Sequence, residues 1–418
     1  MTPTAAAEES RARVIIQAHD PRTRETLRKA ALGVEGEVTL DLPIIDAFAT
    51  SLPPSALESL RASAVGLDGE VAFIPDTVVK LDEPISSADA PSLAAGKLNA
   101  SVQAVHAQSV WKAGYRGAGV GIAVIDTGIA PHPDFGDRIV AFQDLVNGQS
   151  EPYDDRGHGT HVAGIAAGNG AASNGCYAGA APEASLVGIK VMDSQGSGQL
   201  STIIAGVQWA IDNKAQYNIR VINMSLGSKP AGPVSKDPLV QATKAANDAG
   251  ILVVAAAGNK GPYPQTIDTP AAAPNVLAVG GTVDYSTPDI VDDKVAWYSS
   301  TGPTLYDHFI KPDVVAPGTQ IACPDPNGRY VYDTGTSMAS PLVAGVAALM
   351  TQAAPNLSPT QLRNAIMGGA TRIRQYEPNI QGKGVVQADR SLVIAQHTPV
   401  PPTPSPAPPP TPPPAPAA

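Results

Sequence analysis

The chain has 418 residues, 43% of them hydrophobic, with 39 Gly and 41 Pro, enough for one large core and a smaller unit beside it. Lys and Arg number 28 against 38 Asp and Glu, and the net charge of −10 argues against nucleic-acid and anionic-membrane partners. No run of about 18 apolar residues occurs, so no membrane-spanning helix is predicted.

Residues 1–11 are polar and alanine-rich and hold no apolar core of a signal peptide. Residues 12–82 then read as a small α+β unit. A strand at 13–19 and a helix at 22–31 are followed by apolar runs over 38–52, broken near Asp46 as in a hairpin. A helix at 53–64, with Pro54 near its start, and a strand at 71–75 complete it. The order β-α-β-β-α-β is the split βαβ, ferredoxin-like pattern. Residues 83–98 are polar and read as an exposed linker.

From residue 99 to 397 strand-like and helical runs alternate. Strands are predicted at 121–126, 185–191, 221–225, 251–256, 276–279 and 313–316. Helices are predicted at 158–168, 201–213, 236–249, 337–352 and 358–367. Such alternation implies an α/β fold, a mostly parallel sheet covered on both faces in three layers. Ligands of such sheets bind beyond the carboxyl ends of the strands, where Asp126 and Asn259 fall. Residues 398–418 are a Pro-rich spacer or tail. Cys176 and Cys323 are compatible with one disulfide, although two isolated cysteines more often serve as small buried hydrophobes.

Three stretches carry chemistry. Gly335-Thr336-Ser337-Met338-Ala339-Ser340-Pro341 opens a helix of small apolar residues, where backbone N–H groups converge on Ser337. Alone, that serine would be an N-cap. Val120 to Gly128 reads as a buried strand ending in Asp126, and Arg156-Gly157-His158-Gly159-Thr160-His161 as a glycine turn opening a second helix. Together, in the order Asp, His, Ser, these stretches resemble the signatures of the subtilisin-like serine proteases (subtilases), over roughly residues 95–397. The unit at 12–82 is similar to the inhibitory, chaperoning propeptide (inhibitor I9-like) that precedes such cores, with the maturation site expected in the 83–98 linker.

The resemblance implies a zymogen of a serine endopeptidase that hydrolyses extended polypeptides through an acyl-enzyme. Ser337 would be the nucleophile, His158 the base, Asp126 its orienting partner and Asn259 the oxyanion donor. It places Gly196, Ser197 and Gly198 on one edge of the substrate groove and Ser225, Leu226 and Gly227 on the other. Leu200 and Leu226 would line an outer apolar pocket, and Ala256, Gly258 and Asp268 the primary pocket. The bond before Pro270 is expected to be cis. Asp268, with Lys260 near the rim, suggests acceptance of Lys or Arg at the P1 position (the residue before the scissile bond), against the alternative of a locally paired carboxylate.

Calcium (Ca2+) is the cofactor implied, through Asp134 of His132-Pro133-Asp134-Phe135 with Asn169 and Asn174 of the loop following helix 158–168. Asp154 and Asp155 either serve another cation or orient the loop before His158. His161 packs within its helix, since no His-Glu-x-x-His occurs and zinc is not expected. The expected enzyme is a secreted monomer, with its own propeptide as intramolecular inhibitor and no organic cofactor. Competing readings are a dedicated processing protease, an inactive relative that binds peptides in its groove, and an N-terminal unit acting as an inhibitor in trans.

Overall fold

The computed structural model describes residues 11–82, 85, 98–285 and 287–400. The polar N-terminus at 1–11, the linker at 83–98 and the Pro-rich tail at 398–418 fall almost wholly outside these residues. The amino-terminal unit has the predicted order: β1 (Ala12–Ala18), α1 (Pro21–Gly33), β2 (Glu37–Leu42), β3 (Ala47–Leu52), α2 (Pro54–Ala64) and β4 (Val71–Pro75). Its sheet runs β2-β3-β1-β4 with every neighbour antiparallel. Asp20 starts α1 by accepting the Thr23 N–H at 2.7 Å, and Asp46 turns the chain between β2 and β3 in the left-handed region. Val14, Ile16, Leu27, Phe48, Leu52 and Leu60 form its core. A short strand that the sequence reading did not contain, β5 (Val78–Lys80), follows β4.

The larger body begins with α3 (Leu98–Ala104), α4 (Ala107–Lys112), β6 (Gly121–Asp126), β7 (Ile139–Asp144), α5 (His158–Ala167), β8 (Ser185–Lys190), β9 (Ser197–Gln199) and α6 (Leu200–Asp212). It continues with α7 (Lys214–Tyr217), β10 (Ile219–Met224), α8 (Pro238–Asp248), β11 (Leu252–Ala256), β12 (Leu277–Val283), β13 (Lys294–Val295) and β14 (Val314–Pro317). Then come β15 (Ile321–Pro324), β16 (Tyr330–Asp333), α9 (Thr336–Ala353), α10 (Pro359–Gly369), α11 (Pro378–Gln381) and α12 (Ala388–His397). The central sheet has eight strands in the order β13-β12-β11-β10-β6-β8-β7, with β14 also paired to β12. Only the β12–β13 pair is antiparallel.

The strands are apolar throughout because both faces are covered, and their alternate residues feed two cores. Ile122 and Val124 of β6 pack with α5, α9, α10 and α12, while Ala123 and Ile125 pack with α6 and α8. The second core also takes Ile15, Leu42, Ile45, Ala47 and Ala49 of the amino-terminal unit, whose sheet lies over α6 and α8. This three-layer α/β arrangement puts the ends of β6, β10 and β11 along one edge of the sheet, and the start of α9 meets them there.

Helix α9 is buried along nearly its whole length, which is why its residues are small. Pro341 sits in its second turn, further in than a cost-free first-turn position. A helical residue there would donate to the Ser337 carbonyl. The Ser225 hydroxyl supplies that donor instead, at 2.8 Å. The proline thus couples the start of α9 to the end of β10.

Candidate active site

Asp126 ends β6 and is fully buried; His158 begins α5. The His158 Nδ1 and Asp126 Oδ1 are 2.8 Å apart, and the same oxygen accepts the Thr127 N–H at 2.8 Å. An ionised carboxylate only accepts, so Nδ1 carries the hydrogen and Nε2 is left as the basic nitrogen. Burial works against charge on His158, but the negative charge and hydrogen bond of Asp126 outweigh it and hold the imidazole at about 8. The strand and helix meet closely: a Cβ at Gly159 would lie 2.1 Å from the Gly128 carbonyl oxygen, so the glycine brings His158 up to Asp126.

Asp154 builds the loop before His158. Its Oδ1 accepts from Thr127 Oγ1 and the Arg156 and Gly157 N–H groups, and its Oδ2 from the Thr160 N–H and hydroxyl, at 2.7–3.1 Å. Of the two readings of Asp154, orientation of the loop is therefore what the structure contains. Asp155 pairs with Lys190, a cation with no exposed surface whose Nζ also donates to the Thr127 and Met192 carbonyls, all at 2.7 Å. The sequence reading missed Lys190; a lone lysine closing an apolar strand was the available signal. His161 is buried, with Nε2 3.0 Å from the Ile321 carbonyl oxygen, and burial lowers its pKa. It packs within the fold, as expected.

Ser337 is the second residue of α9. Its hydroxyl donates to the Ser225 carbonyl at 3.1 Å. Asn259, just past β11, accepts the Thr336 N–H and hydroxyl at its Oδ1, both at 2.9 Å. A backbone N–H can only donate, so the carboxamide atom facing it is oxygen and Nδ2 stays available. His158, Asn259 and Ser337 line one cleft of about 490 Å3 together with Asp154, Leu81 and Asp82.

One of the two expected groove edges is paired with a strand. Strand β5 pairs antiparallel with β9, matching Val78, Val79 and Lys80 with Gln199, Gly198 and Ser197. The Leu200 N–H donates to the Thr77 carbonyl and the Leu81 N–H to that of Gly196, both at 2.9 Å. Val79 is buried in the core that also holds Leu200 and Leu226. Next along, Asp82 lines a small pocket with Ser225, Leu226, Gly227, Ala256, Gly258 and Asp268. The Thr269–Pro270 bond is cis.

Of the two readings of Asp268, the structure contains the locally paired carboxylate. Asp268 is 2% exposed, and Lys260 Nζ donates to its Oδ2. Burial pushes Asp268 up to about 6 although Lys260 opposes the shift. Its carboxylate is thus already partnered, and the pocket is not a free anionic site for Lys or Arg. Gly258 makes room for it: a Cβ there would lie 2.5 Å from Asp268 Oδ2.

The proposed calcium ligands are brought near one another but with different partners. Asp134 accepts the Tyr330 hydroxyl at 2.7 Å and the Ala172 N–H at 2.8 Å, and Asn169 Oδ1 accepts the Ala171 N–H at 2.9 Å. Asn174 is a left-handed residue ending a short turn. Each Asp134 side-chain oxygen thus accepts from one protein donor. Among the described residues no group of three or more His, Cys, Asp or Glu is placed to hold a metal. Cys323 is buried and Cys176 exposed, and both are free thiols. No helix of the described residues is long and apolar enough to cross a membrane.

Comparison with known proteins agrees with this geometry. The profile of the subtilase family matches residues 117–384. The chain is 44% identical over 320 residues to serine protease AprX of Bacillus subtilis (strain 168), covering 71% of each chain. It is 40% identical over 288 residues to subtilisin DY of Bacillus licheniformis, covering 68% of this chain and 95% of that protein. It is 38% identical over 288 residues to a thermostable alkaline protease of Halalkalibacterium halodurans, covering 69% of this chain and 71% of the relative. The chain belongs to the subtilase family and is a serine-type endopeptidase acting on polypeptides.

Proposed function

We propose that Asp126, His158, Ser337 and Asn259 are the catalytic residues, and that residues 12–82 are the propeptide of a zymogen whose catalytic domain spans 99–397. In this reading Ser337 Oγ turns from the Ser225 carbonyl toward His158 Nε2 and gives up its proton as it bonds to the substrate carbonyl carbon. His158 passes that proton to the leaving amine as the C–N bond breaks. Water then attacks the Ser337 ester, its proton goes to His158, and Ser337 is restored. Asn259 Nδ2 and the unused N–H of Ser337 donate to the oxygen that gains negative charge, helped by the positive end of α9.

The observation that carries the reading is the 2.8 Å Asp126–His158 contact on a cleft shared with Ser337 and Asn259. Inhibition by the amino-terminal unit is supported by β5, which occupies β9 as an added strand and ends at that cleft. Substrates would take the place of β5, as extended segments. The net charge of −10 supports a monomeric enzyme without nucleic-acid or membrane partners. The long N-terminal unit ahead of the catalytic domain, as the family resemblance has it, supports secretion. A structural calcium is implied by the family likeness, with no ligand set assigned to it because both Asp134 oxygens already accept from protein donors.

The test compares the full chain with its Ser337→Ala form by intact mass and casein hydrolysis. The native chain should lose its amino-terminal unit and digest casein, and the variant should do neither. A native chain that stays whole and inert, or a variant that processes itself, would overturn the reading.

A further inference from the structure

Resting on the protease reading above, the geometry points to Asp82 as the residue whose carbonyl Ser337 attacks during maturation, and to Lys260 as the group that selects a short acidic side chain at P1. The register fixes the position. Three ladder pairs on β9 are followed by the Leu81 N–H to Gly196 bond at 2.9 Å, and the next residue, Asp82, lies in the pocket beside Ser337. Its Oδ2 accepts the Asn259 backbone N–H at 3.2 Å and its Oδ1 is 3.7 Å from Lys260 Nζ.

Size and charge both act on this pocket. With Asp82 in place the remaining space is about 10 Å3, at the lower limit of what one water requires. A large apolar or a lysine side chain would have to displace the contact between the exposed Lys260 at the rim and the buried Asp268. Lys260 Nζ donates to Asp268 in the pocket wall and lies within ion-pair distance of Asp82 on the incoming chain. A basic P1 residue would instead bring a second cation to Lys260 and lose both the fit and the attraction. The chemistry thus selects polypeptides with aspartate before the scissile bond, and the enzyme's own residues 77–82 are the first such substrate.

The test has two parts on the full chain and its mature product. Terminal sequencing of the mature enzyme should give Glu83 as its first residue; any other start overturns the placement of Asp82. A peptide series Val-Lys-Leu-X, with X as Asp, Leu or Lys before a fluorogenic amine, then reads kcat/KM. Asp should exceed Leu and Lys by about tenfold or more, and Lys260→Glu should invert the Asp-to-Lys ratio. Equal or better cleavage after Leu or Lys by the native enzyme overturns the inference while leaving the protease intact. Failure to cut casein as well as every peptide overturns the protease reading itself.

Discussion

Asp76 is one of the points at which the amino-terminal unit is fixed to the body, and its removal has a calculable effect. Its Oδ1 accepts the Ser201 N–H and its Oδ2 the Ser201 hydroxyl, each at 2.8 Å, at the first turn of α6. The residue is 6% exposed and Ser201 has no exposure. A hydrogen bond to a buried charged group contributes about 1.5–3 kcal/mol, and a carboxylate at a helix start gains up to about 2 kcal/mol more. These effects overlap, so about 3 kcal/mol is the expected loss in Asp76→Ala, or roughly a hundredfold in the docking equilibrium. Asp76→Asn keeps an acceptor for the Ser201 N–H and should lose about a third of that.

The assay is amide hydrogen exchange on full-length protein carrying Ser337→Ala, so that no self-cleavage intervenes. The Leu81 and Leu200 amides, whose bonds span the interface, report docking directly. Their protection should fall about a hundredfold in Asp76→Ala, while amides of β1 and β3 inside the unit stay protected. Unchanged protection at Leu81 and Leu200 would refute the argument that this carboxylate anchors the strand. A loss of protection throughout β1 and β3 would mean that Asp76 stabilises the unit itself.

Other outcomes follow from the same structure. His158 acts only when neutral and is held at about 8, so kcat/KM should rise with pH and be half-maximal near 8. In Asp126→Asn the opposing charge is gone and burial remains, so the limb should move to lower pH as turnover falls by about 10⁴. Asn259→Ala should cost about 10²–10³ in kcat with KM little changed, a magnitude carried over from subtilisin itself. Asp293 is 1% exposed with both side-chain oxygens unpartnered, and burial together with Asp284, Asp292 and Asp289 pushes it up to about 8. Its folded form therefore keeps a proton that the unfolded chain releases near pH 4, and stability falls as pH rises from there to 8. Holding an aspartate near 8 instead of 4 corresponds to at most on the order of 5 kcal/mol, so Asp293→Asn should raise Tm at pH 8 and leave it unchanged at pH 4.

The fold was legible where pattern is strong. Apolar runs such as β6 and β11 are buried on both faces, and the small-residue stripe of α9 marks a helix with no free side. Strand β7 escaped because only Asp144 of its six residues is fully buried, at the sheet edge, so its apolar pattern is diluted. Strand β5 escaped for a different reason. Its three residues have no partner in their own unit and become a strand only by pairing with β9, more than a hundred positions later. The same distance hid Asp76, Asp82 and Lys190, whose roles depend on what the topology brings opposite them. Asp268 and Lys260 were both found, and local pairing was one of the two readings, but the choice between the two readings depends on the burial of Asp268, which composition does not encode. Asp134 also met the loop expected of it, yet the Tyr330 hydroxyl came from a strand beyond any local motif.

The most direct measurement is covalent labelling with an aryl sulfonyl fluoride followed by peptide mapping of the mature enzyme. The sulfonyl group should be found on Ser337, with fluoride lost, and His158→Ala, freed of its amino-terminal unit by an added protease, should give no adduct while still folded. The unprocessed chain should label slowly, since β5 leads into the cleft. An adduct on any other residue, or equal labelling without His158, would contradict the assignment of Ser337 as the activated nucleophile.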